Sequence, residues 1–135
     1  MKIDLEKNEL IHFVGIGGIG MSSLALIMNS LGYKVQGSDI SNNKNILRLN
    51  EKKIKVFLSH KKENIKKTTI LVISSAIKKN NSEVLEAKKK NLPIYTRADM
   101  LGHIVSFMRN VVVTGSHGKT TTTSLVSNIF TSGKL

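Results

Sequence analysis

Apolar residues along this chain fall into short runs. Between the runs lie longer segments whose apolar positions recur three and four apart. Leu10, Ile11, Phe13 and Val14 form a run, interrupted only by His12, that is too short for a helix and predicts a buried strand. Residues 21–31 then place Leu24, Ile27, Met28 and Leu31 at helical spacing, with Gly32 as a C-terminal stop. The alternation continues. Residues 34–38, 55–58, 69–73 and 92–95 read as strands, and residues 45–52, 82–90 and 98–108 as helices. Asn81 or Ser82 followed by acids is a capping-box pattern at the start of the third helix. Pro93, the only proline, stands at the start of a strand, where a missing N–H matters least. The pattern predicts an α/β fold: a mostly parallel sheet, apolar on both faces, with helices on each side and right-handed crossovers.

A second unit is expected from residue 109. Val111, Val112, Val113 and Thr114 read as a strand of β-branched residues. A glycine–lysine loop follows, and then a helix over residues 120–130 with Leu125, Val126, Ile129 and Phe130 as its apolar stripe. The chain stops soon after, at Leu135. The expected organisation is therefore one domain over residues 1–108 and the start of another, cut short, over residues 109–135.

Composition narrows the class. The 135 residues contain no cysteine, so disulfides and thiolate metal sites are excluded. No apolar run approaches membrane-spanning length, and the N-terminus lacks a signal-peptide core; a cytoplasmic protein without membrane partners is the expectation. The formal net charge of +12 could suit nucleic acid, but the lysines are scattered and aromatic residues make up only 4%. No nucleic-acid partner is expected. A small anionic ligand would also benefit from the positive field.

Gly15, Gly17 and Gly20 form G-x-G-x-x-G between a predicted strand and a predicted helix. Gly15 permits the tight turn, Gly17 lets the backbone approach a diphosphate, and Gly20 lets helix and strand pack closely. Gly18 and Ile19 complete the loop. The helix start offers unpaired N–H groups and a partial positive charge. Asp39 follows at roughly the twenty-residue spacing of a ribose-binding acid. This predicts a Rossmann-like diphosphate site. It does not choose among NAD, NADP and a UDP-sugar, which share a diphosphate and a ribose.

Gly115, Ser116, His117, Gly118, Lys119, Thr120 and Thr121 form a second cradle, again between an expected strand and helix. Lys119 would reach the β- and γ-phosphates of ATP, and the Thr120 hydroxyl would bind Mg²⁺. The loop is shorter than the common phosphate loop, since only Ser116 and His117 separate Gly115 from Gly118.

Together the two loops resemble the Mur ligase family. The residues from Phe13 to Ser22 are similar to that family's opening strand and loop. Gly37-Ser38-Asp39 resembles the end of its second strand, and Ser74-Ser75-Ala76-Ile77 its fourth-strand loop. Arg97-Ala98-Asp99-Met100-Leu101 resembles an R-A-E-M-L segment with Asp for Glu, and Gly115 to Thr123 a G-T-H-G-K-T-T-T-T loop with Ser for Thr. Ser59-His60 replaces a frequent Gly-His, and the usual proline after Asn80-Asn81 is absent.

The resemblance implies a cytoplasmic ligase that joins L-alanine to the lactyl carboxylate of UDP-N-acetylmuramic acid with ATP and Mg²⁺, through an acyl phosphate. Residues 15–20 would hold the UDP diphosphate, with Asp39, Ser74, Ser75 and Arg97 as further contacts. Lys119 and Thr120 would carry the catalytic electrostatics. A muropeptide-recycling ligase is the near alternative. An NAD-dependent oxidoreductase would use the first loop but not the second. A non-catalytic nucleotide-binding module would do no more than bind, and this chain alone is expected to lack ligase activity. Of the four histidines, His12 and His103 are expected to pack, His60 to lie near the nucleotide sugar, and His117 to position its loop. None has H-E-x-x-H spacing.

Overall fold

The computed structural model describes residues 5–114 of the chain. Within them, five strands alternate with helices: β1 (Leu10–Val14), α1 (Ile19–Ser30), β2 (Lys34–Ser38), α2 (Lys44–Glu51), β3 (Lys55–Phe57), a 3-10 helix (Lys62–Ile65), β4 (Ile70–Ile73), α3 (Ser82–Lys89), β5 (Ile94–Thr96) and α4 (Arg97–Thr114). The sheet order is β3-β2-β1-β4-β5 and every pairing is parallel. The order reverses between β1 and β4. Open α/β sheets bind ligands at such a point, outside the carboxyl ends of the strands.

Side chains alternate across each strand. Ile11, Phe13, Val35, Ile70 and Val72 face one side and join Met21, Leu24 and Met28 of α1, Ile46 and Leu49 of α2, and Met100, Ile104 and Met108 of α4 in the larger core. Val14 and Leu71 face the other side and pack with Ile65, Val84 and Ala87. The sheet is thus covered on both faces, as the apolar runs predicted. The 3-10 helix is an element that hydrophobic periodicity did not reveal.

Residues 111–114 differ from the expectation. They are the last turn of α4 rather than a strand. Consecutive β-branched residues favour extended backbone, but a strand needs a neighbour to satisfy its N–H and C=O groups, whereas a helix satisfies them internally. Among the described residues the sheet ends at β5, and no strand pairs with 111–114. The helix also runs through the expected domain boundary at residues 108–109. The glycine–lysine loop and the helix expected after it lie outside the described residues.

Candidate functional site

The glycine loop is held by backbone bonds to the end of β2. Gly15 N and Ile16 N both donate to Ser38 O, at 2.8 and 3.0 Å. Gly15 takes φ +85°, a left-handed conformation that favours glycine. Gly17 N donates to Asp39 Oδ2 at 2.7 Å, and a Cβ on Gly17 would lie at that same 2.7 Å from the carboxylate oxygen. Ser41 N donates to the other Asp39 oxygen at 2.9 Å. Asp39 thereby braces the loop against β2.

The loop delivers the chain into α1. Gly18 is the N-cap, makes no side-chain cap bond, and no acid occupies the first turn. The uncapped N–H groups and the dipole form an anion-binding helix end. Arg97, the first residue of α4, lies across this end. A Cβ on Gly20 would meet Arg97 Cδ at 3.1 Å and Nε at 3.3 Å. The glycine at position 20 therefore makes room for the arginine, a second positive group beside the helix start.

A cleft of about 450 Å³ opens at the switch point. Gly15, Gly18, Asp39, His60, Ser74 and Ile77 are among its lining residues, and Ile40, 77% exposed, stands at its rim. Of the expected substrate contacts, Gly15, Gly18, Asp39 and Ser74 line this cleft. Gly17 and Gly20 do not line it; Gly17 is bonded to Asp39, and Gly20 lies against Arg97. Ile19 and Ser75 are exposed beside it, and Arg97 lines a separate groove along α4. Gly115, Ser116, His117, Gly118, Lys119, Thr120 and Thr121 lie outside the described residues. Among the described residues, no group of His, Asp and Glu has the arrangement of a metal site.

Beneath the cleft lies a polar network that sequence reading missed. Alternation places His12, Gln36 and Ser38 on the same face of β1 and β2, with His12 directly beside Gln36. Glu83 of α3 reaches into this face and is fully buried. Its Oε1 accepts from Ser38 Oγ at 2.5 Å and from His12 Nε2 at 2.9 Å, and its Oε2 accepts from Asn64 Nδ2 at 2.6 Å. Gln36 Nε2 donates to His12 Nδ1 and to Asn64 O, both at 2.9 Å. Burial by itself raises the Glu83 carboxyl. The hydrogen bonds it accepts from His12, Ser38 and Asn64 outweigh it, and the group sits below its ordinary range. His60 joins the network at the cleft wall, with Nδ1 2.8 Å from Ser38 Oγ and 3.6 Å from Glu83 Oε1. His12 is therefore one partner in a buried hydrogen-bonded cluster rather than a packing residue alone. The available signal was the polar residue at every second position of β2 (Lys34, Gln36, Ser38) and the single His12 inside the apolar run of β1.

Comparison with known proteins gives a consistent picture. Residues 10–109 match the family model described as Mur ligase family, catalytic domain. The UDP-N-acetylmuramate–L-alanine ligase of Pelagibacter ubique (strain HTCC1062) is 66% identical over all 135 residues, which are 29% of that protein's length. The enzyme of the same name from Brucella ovis is 53% identical over 126 residues, covering 93% of this chain and 27% of that protein. The chain thus spans less than a third of the curated relatives it matches. Among solved structures, the UDP-N-acetylmuramate–alanine ligase of Thermotoga maritima superposes with a TM-score of 0.66 at 33% identity, over 74% of this chain and 23% of that one. A murein peptide ligase from Psychrobacter arcticus shares the fold, with a TM-score of 0.66 at 23% identity over 70% of this chain and 20% of that one.

Proposed function

This chain belongs to the Mur ligase family, and on that premise we propose that it is the UDP-sugar-binding part of a ligase that adds L-alanine to UDP-N-acetylmuramic acid. The observation that carries the reading is the cleft at the switch point, onto which an uncapped helix start and a braced glycine loop open, with Arg97 beside that helix start in the neighbouring groove. A diphosphate brings the charge that this helix end and guanidinium favour, and the loop glycines let the backbone approach it. Asp39 holds Gly17 in place from below, and Ser74 lines the wall. Ile19 and Ser75 stand close enough in sequence to complete the contacts.

On this proposal residues 1–108 form the UDP-sugar domain and residues 109–135 begin an ATP-binding domain, with α4 running on from the first into the second as far as Thr114. In the full reaction the lactyl carboxylate takes the γ-phosphoryl group of ATP, and the amine of L-alanine displaces phosphate from the acyl phosphate. Gly115 to Thr121 would hold ATP, Lys119 would offset charge on the migrating phosphoryl group, and Thr120 would ligate Mg²⁺. The cytoplasm, where ATP is available, is the proposed location. Among the described residues no helix is long and apolar enough to cross a membrane.

The test is a calorimetric titration of the chain with UDP-N-acetylmuramic acid, with NADH and Mg-ATP in parallel. Saturable UDP-sugar binding, lost in Gly17→Val and absent for NADH, is expected. NADH binding without UDP-sugar binding would overturn the reading in favour of a dinucleotide enzyme.

A further inference from the structure

The network beneath the cleft determines which ring nitrogen of His60 carries a proton. Glu83 is a carboxylate and can only accept. Ser38 has one hydroxyl hydrogen, and it is given to Glu83 Oε1 at 2.5 Å. The Ser38 oxygen can therefore only accept from His60 Nδ1, 2.8 Å away. Nδ1 must carry the hydrogen, and in the neutral ring Nε2 is then bare. Nε2 makes no hydrogen bond among the described residues, and the ring lines the cleft. His12 has the opposite tautomer for the same reason: its Nε2 donates to Glu83, and its Nδ1 accepts from Gln36. Asn64 holds the second carboxylate oxygen, so Glu83 cannot easily turn away.

We propose that Glu83 and Ser38 are positioning residues that lock His60 as the Nδ1–H tautomer, so that its Nε2 serves the cleft as an acceptor for an uncharged donor of the nucleotide sugar, a hydroxyl or a ring N–H. The proposal rests on the UDP-sugar reading above. It divides the site by chemistry. The helix start and Arg97 suit the anionic diphosphate, while His60 contributes a lone pair, which selects against phosphate oxygen and for O–H or N–H.

The test uses the chain labelled with ¹⁵N-histidine and long-range ¹H–¹⁵N correlation spectra, with His60 assigned by its loss in His60→Gln. The free chain should show His60 with Nδ1 protonated and Nε2 bare. The Nε2 resonance should move when UDP-N-acetylmuramic acid is added and stay still with inorganic pyrophosphate. A shift that persists with UDP places the donor on the uridine, and a shift seen only with the whole substrate places it on the amino sugar. Ser38→Ala should release the tautomer preference and weaken UDP-sugar binding about three- to tenfold, the equivalent of one ordinary hydrogen bond. Glu83→Ala should do the same, with partial recovery in Glu83→Gln, whose amide oxygen can still accept from Ser38. Should Glu83→Ala fail to fold, Ser38→Ala alone decides the matter.

An Nε2-protonated His60 in the free wild-type chain would overturn the proposal. So would a tautomer indifferent to Ser38→Ala, or an Nε2 that ignores a UDP-sugar shown by calorimetry to bind. A chain that binds no UDP-sugar while His60 keeps a bare Nε2 would instead overturn the functional reading on which the ligand assignment rests.

Discussion

A Cβ on Gly37 would stand 2.5 Å from Ile16 Cδ1, 2.6 Å from Ile16 Cβ and 2.6 Å from the carbonyl oxygen of Phe13. The carbonyl belongs to β1 and cannot yield. On Gly17 the nearest obstacle is the Asp39 carboxylate, which can swing away at the cost of the Gly17 N–H bond. The two glycines should therefore separate stability from binding. Gly37→Ala is expected to lower unfolding free energy by about 1–3 kcal/mol, as overpacking does. Gly17→Ala should cost only about 1 kcal/mol, one hydrogen bond, while weakening UDP-sugar binding more than tenfold. Urea melts and calorimetry on both variants check this, and a Gly17→Ala chain less stable than Gly37→Ala would contradict it. Glu83 supplies a pH signature. Its carboxyl lies below the ordinary 4.5 when folded, so the unfolded chain takes up the proton first as pH falls. The stability it contributes is present above that ordinary value and is lost as pH drops through the folded value. Urea midpoints of wild type and Glu83→Gln should accordingly differ most near neutrality and converge in acid. A gap that widens in acid would show that the carboxylate is not held ionised by its neighbours. Sequence exposed Gly15, Gly17 and Gly20 because their spacing is a local motif. It hid Gly37 and Glu83, whose constraints come from residues brought close only by the sheet.

Helix starts show how local chemistry divides its roles. Asn81 caps α3, its Oδ1 accepting from Glu83 N at 2.9 Å and Val84 N at 3.4 Å. Glu83, which the sequence pattern offered as a capping acid, turns inward to the network instead. The reciprocal box lies at α4: Thr96 Oγ1 accepts from Asp99 N at 3.1 Å, and Asp99 Oδ2 accepts from Thr96 N at 3.0 Å. The Asp that replaces Glu in the R-A-D-M-L segment still closes this box, and in doing so it sets the first turn from which Arg97 reaches Gly20. Asn81→Ala should cost about 1 kcal/mol in urea unfolding, with the His60 tautomer retained because Glu83 is also fixed from His12, Ser38 and Asn64. Asp99→Ala should reduce UDP-sugar affinity through Arg97 while leaving the core intact. An affinity unchanged by Asp99→Ala would mean that Arg97 is placed by other contacts. Strand and helix positions were legible because hydrophobic period is a local property. The fate of residues 111–114 was not, since a strand's hydrogen bonds depend on a neighbour that periodicity does not specify.

At the scale of the molecule, the parallel order β3-β2-β1-β4-β5 puts the loops after β1, β2 and β4 at one end of the sheet, and the cleft forms there. The βα alternation made that topology legible as a class. The buried polar cluster was not, because its members come from β1, β2, the 3-10 segment and α3. Charge acts over the same scale. The chain carries +12, and a groove next to the cleft, sharing His60, is lined by Lys61, Lys62 and Lys89, partly offset by Glu63 and Glu86. Their field should draw a diphosphate toward the helix start, but it is exposed to solvent and is screened over about 10 Å at 0.1 M salt. On the proposed reading the α1 N–H groups and Arg97 would act at contact distance and be screened much less. Raising sodium chloride from about 50 to 500 mM should therefore weaken UDP-N-acetylmuramic acid binding by only severalfold, well short of the 10³–10⁵ losses typical when many phosphates are neutralised on DNA. Uridine, which has no charge, should bind weakly and independently of salt. Calorimetry across that range measures both. A loss of several decades would shift the binding energy from the glycine loop to the lysine field, and a salt-sensitive uridine would show that the ions disturb the cleft itself.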